Sequence, residues 1–136
     1  GFQIRLYGGL NESGEDNKKD IANLAAFVGY KHEQITIGAE YNQMWNASYT
    51  DGADQNGYSI FASAKLSKIA DIYARFDDLY SKNDWNIKKD ECAAILGAQF
   101  KLGKYVKIAP NFRMSMPKTE GVKNGYSAYV NCYFGF

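Results

Sequence analysis

Few residues of this chain have the types and spacing that catalysis or metal binding requires. His32 is the single histidine, and it falls in a predicted turn. Cys92 and Cys132 show neither a CxxC motif nor cysteine–histidine ligand spacing. A nucleophilic triad and a tetrahedral metal centre both need such partners close together. We therefore expect a protein that is not an enzyme and that holds no metal or other cofactor.

Charged and amide side chains recur instead at alternate positions of several segments. Residues two apart point to the same side of a β-strand, so this spacing places them on one face of a sheet. If that face surrounds water, its fixed charges concentrate counter-ions, whereas in a packed interior the same groups form ion pairs. Cations outnumber carboxylates in this set, which comprises Arg5, Glu40, Lys65, Arg75, Asp77, Gln99, Lys107, Asn111 and Arg113.

Length and charge limit the classes of protein to which the chain can belong. Its 136 residues suit one domain, or a part of a larger one. The 16 Lys and Arg nearly balance the 15 Asp and Glu, and no basic run stands out, so we expect no nucleic-acid partner. No apolar run is long enough for a membrane helix, but strands that alternate in polarity conceal a lipid-facing side from hydropathy.

Period-2 alternation predicts eight strands separated by loops that alternate between long and short. Such alternation of loop length is typical of membrane barrels, which have short periplasmic turns, long outer loops and spans near ten residues. A soluble sandwich has no physical reason to sort its loops in this way. The predicted strands are Phe2 to Leu10, Ile21 to Tyr30, Ile35 to Asn46, Gly57 to Leu66, Asp71 to Tyr80, Cys92 to Leu102, Lys104 to Met116 and Asn124 to Phe136.

The second face of these strands is almost uncharged and consists of Ala, Leu, Ile, Val and aromatic residues. We expect this face to meet lipid and the charged face to meet the lumen, in an all-β, antiparallel, up-and-down transmembrane wall of eight strands whose backbone must close. Pro110 and Asp78 depart from the pattern on the apolar face. Aromatic residues near both strand ends predict two interfacial girdles, with Trp45, Tyr41, Tyr80 and Tyr126 outside and Tyr30, Phe100, Phe134 and Phe136 inside.

The same topology separates the two cysteines. Cys92 falls near the outer end of the sixth predicted strand and Cys132 near the inner end of the eighth. A disulfide joins Cα atoms only about 4.4 to 6.8 Å apart, so we expect two free thiols.

The last predicted strand ends in a cluster of aromatic residues. Tyr129, Tyr133, Phe134 and the terminal Phe136 resemble the closing strand of a Gram-negative outer-membrane β-barrel. The resemblance implies that these residues form the signal read by the barrel-assembly machinery. The alternative is an ordinary edge strand that happens to end in aromatic residues.

Several internal segments resemble the C-terminal half of general and phosphate-selective porins. They are Ile35–Asn42, Gly57–Ala62, Ile72–Asp77, Ile95–Phe100 and Val106–Asn111. Porin barrels contain about 16 to 18 strands, whereas this chain supplies eight. Two alternatives follow: residues 1–136 form the C-terminal segment of a larger porin barrel, or they form a closed eight-stranded barrel. The opening of the chain within a strand suits a mature protein without its signal peptide, and equally a fragment.

The two alternatives differ in function. The porin resemblance implies passive diffusion of small, anionic solutes across the bacterial outer membrane, past the nine polar residues named above, with lipid and other porin strands or subunits as partners. A closed eight-stranded lumen is filled by side chains, and the protein would then act structurally or in adhesion through its long outer loops.

A soluble binder of the lipocalin type, or an adhesion module, is the remaining class. Trp85 and the segment Asp51–Gly57 could contact a partner or a calcium ion. The segment lacks a bidentate glutamate at the spacing of calcium loops, so a solvated loop is the simpler interpretation. A lipocalin-type protein would purify without detergent, whereas a membrane barrel would require it.

Overall fold

Eight antiparallel strands form a single sheet in the computed structural model, which describes residues 1–135. The order in the sheet is the order in the sequence, β1 to β8, so every strand pairs with its neighbours along the chain. The strands are β1 Phe2–Asn11, β2 Ile21–Lys31, β3 Ile35–Trp45, β4 Gln55–Lys65, β5 Ala70–Ser81, β6 Glu91–Lys101, β7 Val106–Pro117 and β8 Gly125–Phe134. This arrangement confirms an all-β, up-and-down sheet of eight strands.

The register keeps the apolar side chains and the charged or polar side chains on opposite faces across the whole sheet. One row of register partners is apolar in every strand: Ile4, Val28, Ala39, Ile60, Phe76, Ala94, Met114 and Tyr126. The adjacent row begins with Arg5, Phe27, Glu40, Ser59 and Asp77. Because successive residues point to opposite faces, these rows define an apolar face and a polar face.

No second layer covers the apolar face within residues 1–135. Leu6 is 77% exposed, Leu96 63% and Val130 66%, and Leu24, Ile37 and Ile60 are also exposed. The buried hydrophobic residues are instead Ala47, Ala53 and Ala109, two of which lie in a loop. A soluble domain buries one face of its sheet against another element, so the sheet lacks the hydrophobic core of such a domain.

The polar face is the more enclosed of the two. Gly29, Gly38 and Asn111 are buried on it, and the aromatic rings of Phe27 and Phe61 are half-buried. Side chains converge on the concave side of a curved sheet and diverge on the convex side. The burial pattern is therefore that of a sheet that curves toward its polar face.

The connections alternate in length, as predicted from the sequence. Long loops span 12–20, 46–54, 82–90 and 118–124, and short turns span 32–34, 66–69 and 102–105. Short 3-10 helices occur in two of the long loops, at Ala47–Tyr49, Lys82–Asp84 and Ile87–Lys89. All long loops lie at one end of the sheet and all short turns lie at the other.

Most strand bounds differ from the predictions by one residue, and two strand starts differ by two residues. Strand β7 begins at Val106 rather than Lys104, because the Leu102 N–H donates to the Val106 carbonyl at 2.9 Å and encloses the intervening residues in a turn. Strand β4 begins two residues earlier than predicted, at Gln55, which pairs with both Met44 and Ser81. Pairing between neighbouring strands, which period-2 alternation does not report, sets both bounds.

The sheet has two open edges, formed by β1 and β8. These strands are the ends of the linear order, and the described residues do not close into a ring. Within the sheet, the pairing of β6 with β7 is interrupted opposite Pro110 and resumes at Phe100 and Ile108. Proline has no N–H to donate, which explains this gap in the ladder.

Cys92 and Cys132 are both free thiols, which agrees with the sequence prediction. Cys92 pairs with Met116 near the long loops, whereas Cys132 pairs with Ile108 near the short turns. The two residues therefore lie on the same face at opposite ends of the sheet.

Aromatic rings lie across glycine positions on the polar face. A Cβ added to Gly38 would stand 2.5 Å from Phe61 Cζ, and one added to Gly97 would stand 2.4 Å from Tyr73 Cζ. Phe27 and Phe61 stack with centroids 6.1 Å apart and planes 10° apart. A ring laid over glycine on a neighbouring strand fixes the register and keeps the ring close to the sheet.

We expect Gly38→Ala to lower the free energy of unfolding by about 1 to 3 kcal/mol, because the new methyl group displaces the Phe61 ring. Urea unfolding of the folded protein, followed by tryptophan fluorescence, measures this change. Gly57→Ala is the matched control, since a Cβ at that position meets its nearest atoms at 3.9 Å. Equal unfolding midpoints for the two variants would contradict the packing role of the rings.

Candidate pore-lining face

All nine polar residues predicted to share a face do so. Their register partners place each of them on the polar face. They occupy two heights along the strands. Near the middle lie Arg5, Glu40, Arg75, Asp77, Asn111 and Arg113, and closer to the short turns lie Lys65, Gln99 and Lys107.

Arg75, Asp77 and Ser59 form the most tightly connected cluster of this face. The Arg75 Nε donates to both carboxylate oxygens of Asp77, at 2.9 and 2.8 Å, and its Nη2 donates to Ser59 Oγ at 3.1 Å. Ser59 in turn donates to Asp77. The positive charge of Arg75 is therefore compensated by a neighbour on its own strand.

The other charged residues near the middle of the strands also have partners within the sheet. Glu40 accepts from Asn42 Nδ2 at 2.7 Å. The Arg5 guanidinium lies 5.7 Å from the centre of the Phe27 ring.

Arg113 is held in a similar way on β7. Its Nε donates to Asn111 Oδ1 at 3.0 Å, and its guanidinium stacks 4.8 Å from the centre of the Tyr129 ring. The mid-height cations are thus held close to the sheet.

Closer to the short turns, the polar residues have fewer partners. Asp71 binds Lys101, with Nζ and Oδ2 3.2 Å apart, and Gln99 Nε2 lies 3.5 Å from the same oxygen. Lys65 and Lys107 have no ion-pair or hydrogen-bond partner for their Nζ atoms among the described residues. Both are exposed.

Several residues of this face were not singled out from the sequence. They are Ser59, Asp71, Lys31, Lys101 and the flat rings of Phe27, Phe61 and Tyr73. Each lies in phase with the residues that were, so the alternation alone could have identified them. Lys31 and Lys101 had a further signal, because each is the last residue of a strand and precedes a short turn.

The aromatic residues of β8 divide between the two faces. Tyr129 and Tyr133 pair with Asn111 and Lys107 on the polar face, and Phe134 pairs with Val106 on the apolar face. All three are exposed. Phe136, the fourth residue of the predicted assembly signal, lies outside the described residues.

The long-loop end of the apolar face carries a row of tyrosines on neighbouring strands. Tyr58 lies between Tyr41, at 5.0 Å between ring centroids, and Tyr80, at 6.2 Å. Asp78, the charged residue that departed from the apolar pattern, pairs with Lys118 from the last long loop. Lys118 Nζ also stands 5.0 Å from the centre of the Tyr80 ring. A loop lysine therefore neutralises this carboxylate on the apolar face.

The four long loops are linked side by side into a collar of residues 12–20, 46–54, 82–90 and 118–124. Asn46 Nδ2 donates to the Asp20 carbonyl at 3.0 Å, which joins the first two loops. Trp85 Nε1 donates to the Asp54 carbonyl at 2.6 Å, which joins the second to the third. The Lys118 N–H donates to the Asp90 carbonyl at 2.9 Å, which joins the third to the fourth.

These links give a structural role to Trp85 and to the segment Asp51–Gly57, which the sequence alone could have assigned to a partner or to a calcium ion. Trp85 is held by its indole N–H, and the Asp54 side chain accepts from the Asn46 N–H at 3.2 Å. No group of three or more His, Cys, Asp and Glu side chains within residues 1–135 is arranged to hold a metal ion. Within the same residues, no helix has the length and apolar character needed to cross a membrane.

Comparison with protein-family models, with curated proteins and with solved structures found no match to this chain.

We expect Asp90→Ala to open the third loop of the collar. The Asp90 side chain is buried and accepts from both the N–H and the hydroxyl of Ser81, each at 2.7 Å. Loss of the carboxylate leaves the Ser81 N–H without a partner, at a cost of about 1 to 3 kcal/mol. Limited trypsin digestion at Lys88 and Lys89 measures the opening, and Glu120→Ala in the exposed fourth loop is the control. Unchanged cleavage in Asp90→Ala would contradict this role.

Proposed function

We propose that this chain forms part of the wall of a bacterial outer-membrane porin, through which small anionic solutes diffuse passively. The polar face lines the water-filled path, and the apolar face meets the lipid. The observation that carries the proposal is the uncovered apolar face, which extends over all eight strands.

The energetic argument is the transfer of that face out of water. Removal of one large apolar side chain from water contributes about 1.5 to 3 kcal/mol. Ile4, Ile60, Leu96 and Val130, on four different strands, are all more than half exposed. The hydrocarbon of a membrane would bury them all at once, and the hydrogen-bonded sheet brings almost no unpaired backbone with it except at its two edges.

The dimensions and the ends of the strands support a membrane location. Strands of 10 to 12 residues extend about 33 to 40 Å, which spans the hydrocarbon core when the strand is tilted by about 45°. The row of tyrosines lies at the outer end of the apolar face, where aromatic residues favour the membrane interface. The neutralised pair of Asp78 and Lys118 lies at the same height.

The open edges support a wall larger than eight strands. Unpaired N–H and C=O groups along β1 and β8 cannot face lipid, because each costs several kcal/mol there. Further antiparallel strands, from the same protein or from another subunit, would pair with these edges and complete the barrel. A barrel of about 16 to 18 strands leaves an aqueous channel, whereas eight strands leave an interior filled by side chains.

The aromatic residues of β8 support the proposed route of assembly. Tyr129, Tyr133 and Phe134 are exposed in an edge strand, where the barrel-assembly machinery could bind them during insertion into the outer membrane. Excess cations on the polar face support an anion preference, since a fixed positive potential in a low-dielectric wall concentrates anions.

We expect the protein, purified in detergent and reconstituted in planar lipid bilayers, to give open conductance steps. The reversal potential across a KCl gradient should report a chloride permeability greater than that of potassium. Absence of conductance from a correctly inserted, heat-modifiable protein would instead indicate a filled barrel. A protein that is water-soluble without detergent would contradict the membrane location itself.

We expect neighbouring residues of β8 to face different media. Cys132 lies on the apolar face, and Asn131 precedes it on the polar face. A nitroxide label on Cys132, in a Cys92→Ser background, should collide mainly with oxygen, which concentrates in lipid. The same label on Asn131→Cys, with Cys132→Ser added, should collide mainly with a water-soluble nickel chelate. Power-saturation spectroscopy measures both, and the reverse pattern would mean that the wall is oriented the other way round.

A further inference from the structure

Three aromatic rings lie close together on the polar face, among side chains that are suited to water. Tyr7 on β1, Phe27 on β2 and Phe61 on β4 each lie within one residue of the centre of their strand. Packing over glycines accounts for the sheet-facing side of Phe27 and Phe61. Both residues are half-buried rather than buried, so part of each ring remains open. Open aromatic surface in the middle of a polar face is a candidate contact for a solute.

Phe27 and Phe61 together form one flat apolar surface, which we call the ring pair. Their centroids are 6.1 Å apart and their planes differ by 10°. They meet over Gly38 on the strand between them, where an added Cβ would stand 2.5 Å from Phe61 Cζ and 3.1 Å from Phe27 Cε2. The nearly parallel planes therefore present an apolar area two rings wide.

A depression of about 640 Å³ opens beside the ring pair. This volume lies within the range of about 300 to 1,000 Å³ that is usual for the sites of small ligands. Tyr7 and the ring pair line the depression, and so do five side chains with hydrogen-bonding groups. Those polar side chains, which we call the rim, are Gln3, Arg5, Lys31, Thr36 and Glu40. The depression thus combines a flat apolar surface with a polar rim.

The rim offers both donors and an acceptor of hydrogen bonds. The guanidinium of Arg5, 5.7 Å from the centre of the Phe27 ring, carries donors only. Glu40 is exposed, and Asn42 Nδ2 donates to one of its oxygens at 2.7 Å, which leaves the second oxygen to accept from a solute. Because the rim contains the cations Arg5 and Lys31 as well as the carboxylate of Glu40, it can donate to and accept from the same molecule.

A saccharide ring matches this combination of surfaces. One face of a pyranose ring carries C–H groups, which contact the negative face of an aromatic ring favourably. The hydroxyl groups around its edge both donate and accept hydrogen bonds. A small inorganic anion would leave the ring pair uncovered and would meet the carboxylate of Glu40. A hydrocarbon would cover the ring pair but would leave the rim without partners.

We propose that this depression binds neutral saccharides, with a pyranose ring stacked on Phe27 and Phe61 and its hydroxyl groups bound by Arg5 and Glu40. The inference rests on the porin wall proposed above. It adds a second class of solute, uncharged and hydroxylated, and it places the binding site for that solute near the middle of the strands.

Saturation-transfer NMR in deuterated detergent tests binding without any need for conduction. Irradiation of the aromatic protons of the protein should transfer saturation to the ring C–H protons of cellobiose, whose β-linked glucose rings expose flat C–H faces. Mannitol is the matched control, because it is an acyclic polyol with hydroxyl groups and no ring face. Equal transfer to mannitol, or no transfer to cellobiose, would overturn the site.

Two variants of aromatic residues locate the site. Phe61→Leu removes a ring from the depression, whereas Tyr73→Leu removes a ring that also lies over a glycine, Gly97, but outside the depression. We expect Phe61→Leu to raise the dissociation constant of cellobiose about fivefold and Tyr73→Leu to leave it unchanged. NMR titration measures both constants, and an equal effect of the two variants would overturn the assignment.

Glu40→Gln tests the rim and keeps both rings, so it decides the matter even if Phe61→Leu does not fold. Loss of the charged acceptor should raise the dissociation constant of cellobiose about threefold, because hydrogen bonds to a carboxylate are stronger than those to an amide. Asp71→Asn is the control, since Asp71 lies on the same face outside the depression. An unchanged constant in Glu40→Gln would contradict the proposed site.

Benzoate distinguishes the main alternative occupant, a planar aromatic anion. Its ring would stack on the ring pair, and its carboxylate would pair with Arg5. We expect benzoate at the concentration of cellobiose to leave the saturation transfer to cellobiose intact. Displacement of cellobiose would assign the depression to aromatic anions and overturn the saccharide interpretation.

These outcomes are separate from failure of the proposed function. A protein that binds cellobiose in detergent but conducts no ions in planar bilayers contradicts the porin wall and leaves the saccharide site. A protein that conducts, and that shows neither saturation transfer to cellobiose nor a reduction of current by it, leaves the porin wall intact and removes only the site.

Discussion

The constraint on which this structure depends is that one sheet carries an apolar face with nothing packed against it. In a soluble domain a second layer would bury that face and supply the hydrophobic core. Within residues 1–135 the few buried hydrophobic side chains are alanines, and large apolar residues on every strand remain exposed. Backbone hydrogen bonds between strands determine the shape of such a sheet, and residues 1–135 supply little of the burial energy of the apolar face. A hydrocarbon medium satisfies both requirements, since it buries apolar side chains and tolerates only paired backbone groups.

The packing of side chains on the polar face follows from the curvature of the sheet. Since the sheet curves toward its polar side, bulky groups there must lie flat or be paired. Phe27, Phe61 and Tyr73 lie over glycines of neighbouring strands, where any larger residue would collide with them. Arg75, Asp77 and Ser59 compensate one another along two adjacent strands. The cations without a partner among the described residues consequently include Lys65 and Lys107, both near the short turns.

The two ends of the sheet are built on different principles. At one end, long loops are joined laterally through Asn46, Trp85 and Asp90, which restrains them without a hydrophobic core of their own. A loop lysine, Lys118, reaches back to neutralise Asp78 beside the row of tyrosines. At the other end, three- and four-residue turns leave little polypeptide beyond the strands, so the lysines that flank them dominate the local potential. The two ends of the sheet therefore differ both in the length of their connections and in the way those connections are held.

The sequence by itself determined the strands, the two faces, the alternation of loop lengths and the separation of Cys92 from Cys132. These features follow from period-2 alternation and from local turn residues, which operate over a few positions at a time. Strand ends such as Gln55 and Val106 were less accessible, because pairing with a neighbouring strand sets them. Only the tertiary structure decided which cations are compensated, how the loops are linked and which residue neutralises Asp78. Those outcomes join side chains on different strands, or residues as far apart as Asp78 and Lys118, and no local pattern encodes such contacts.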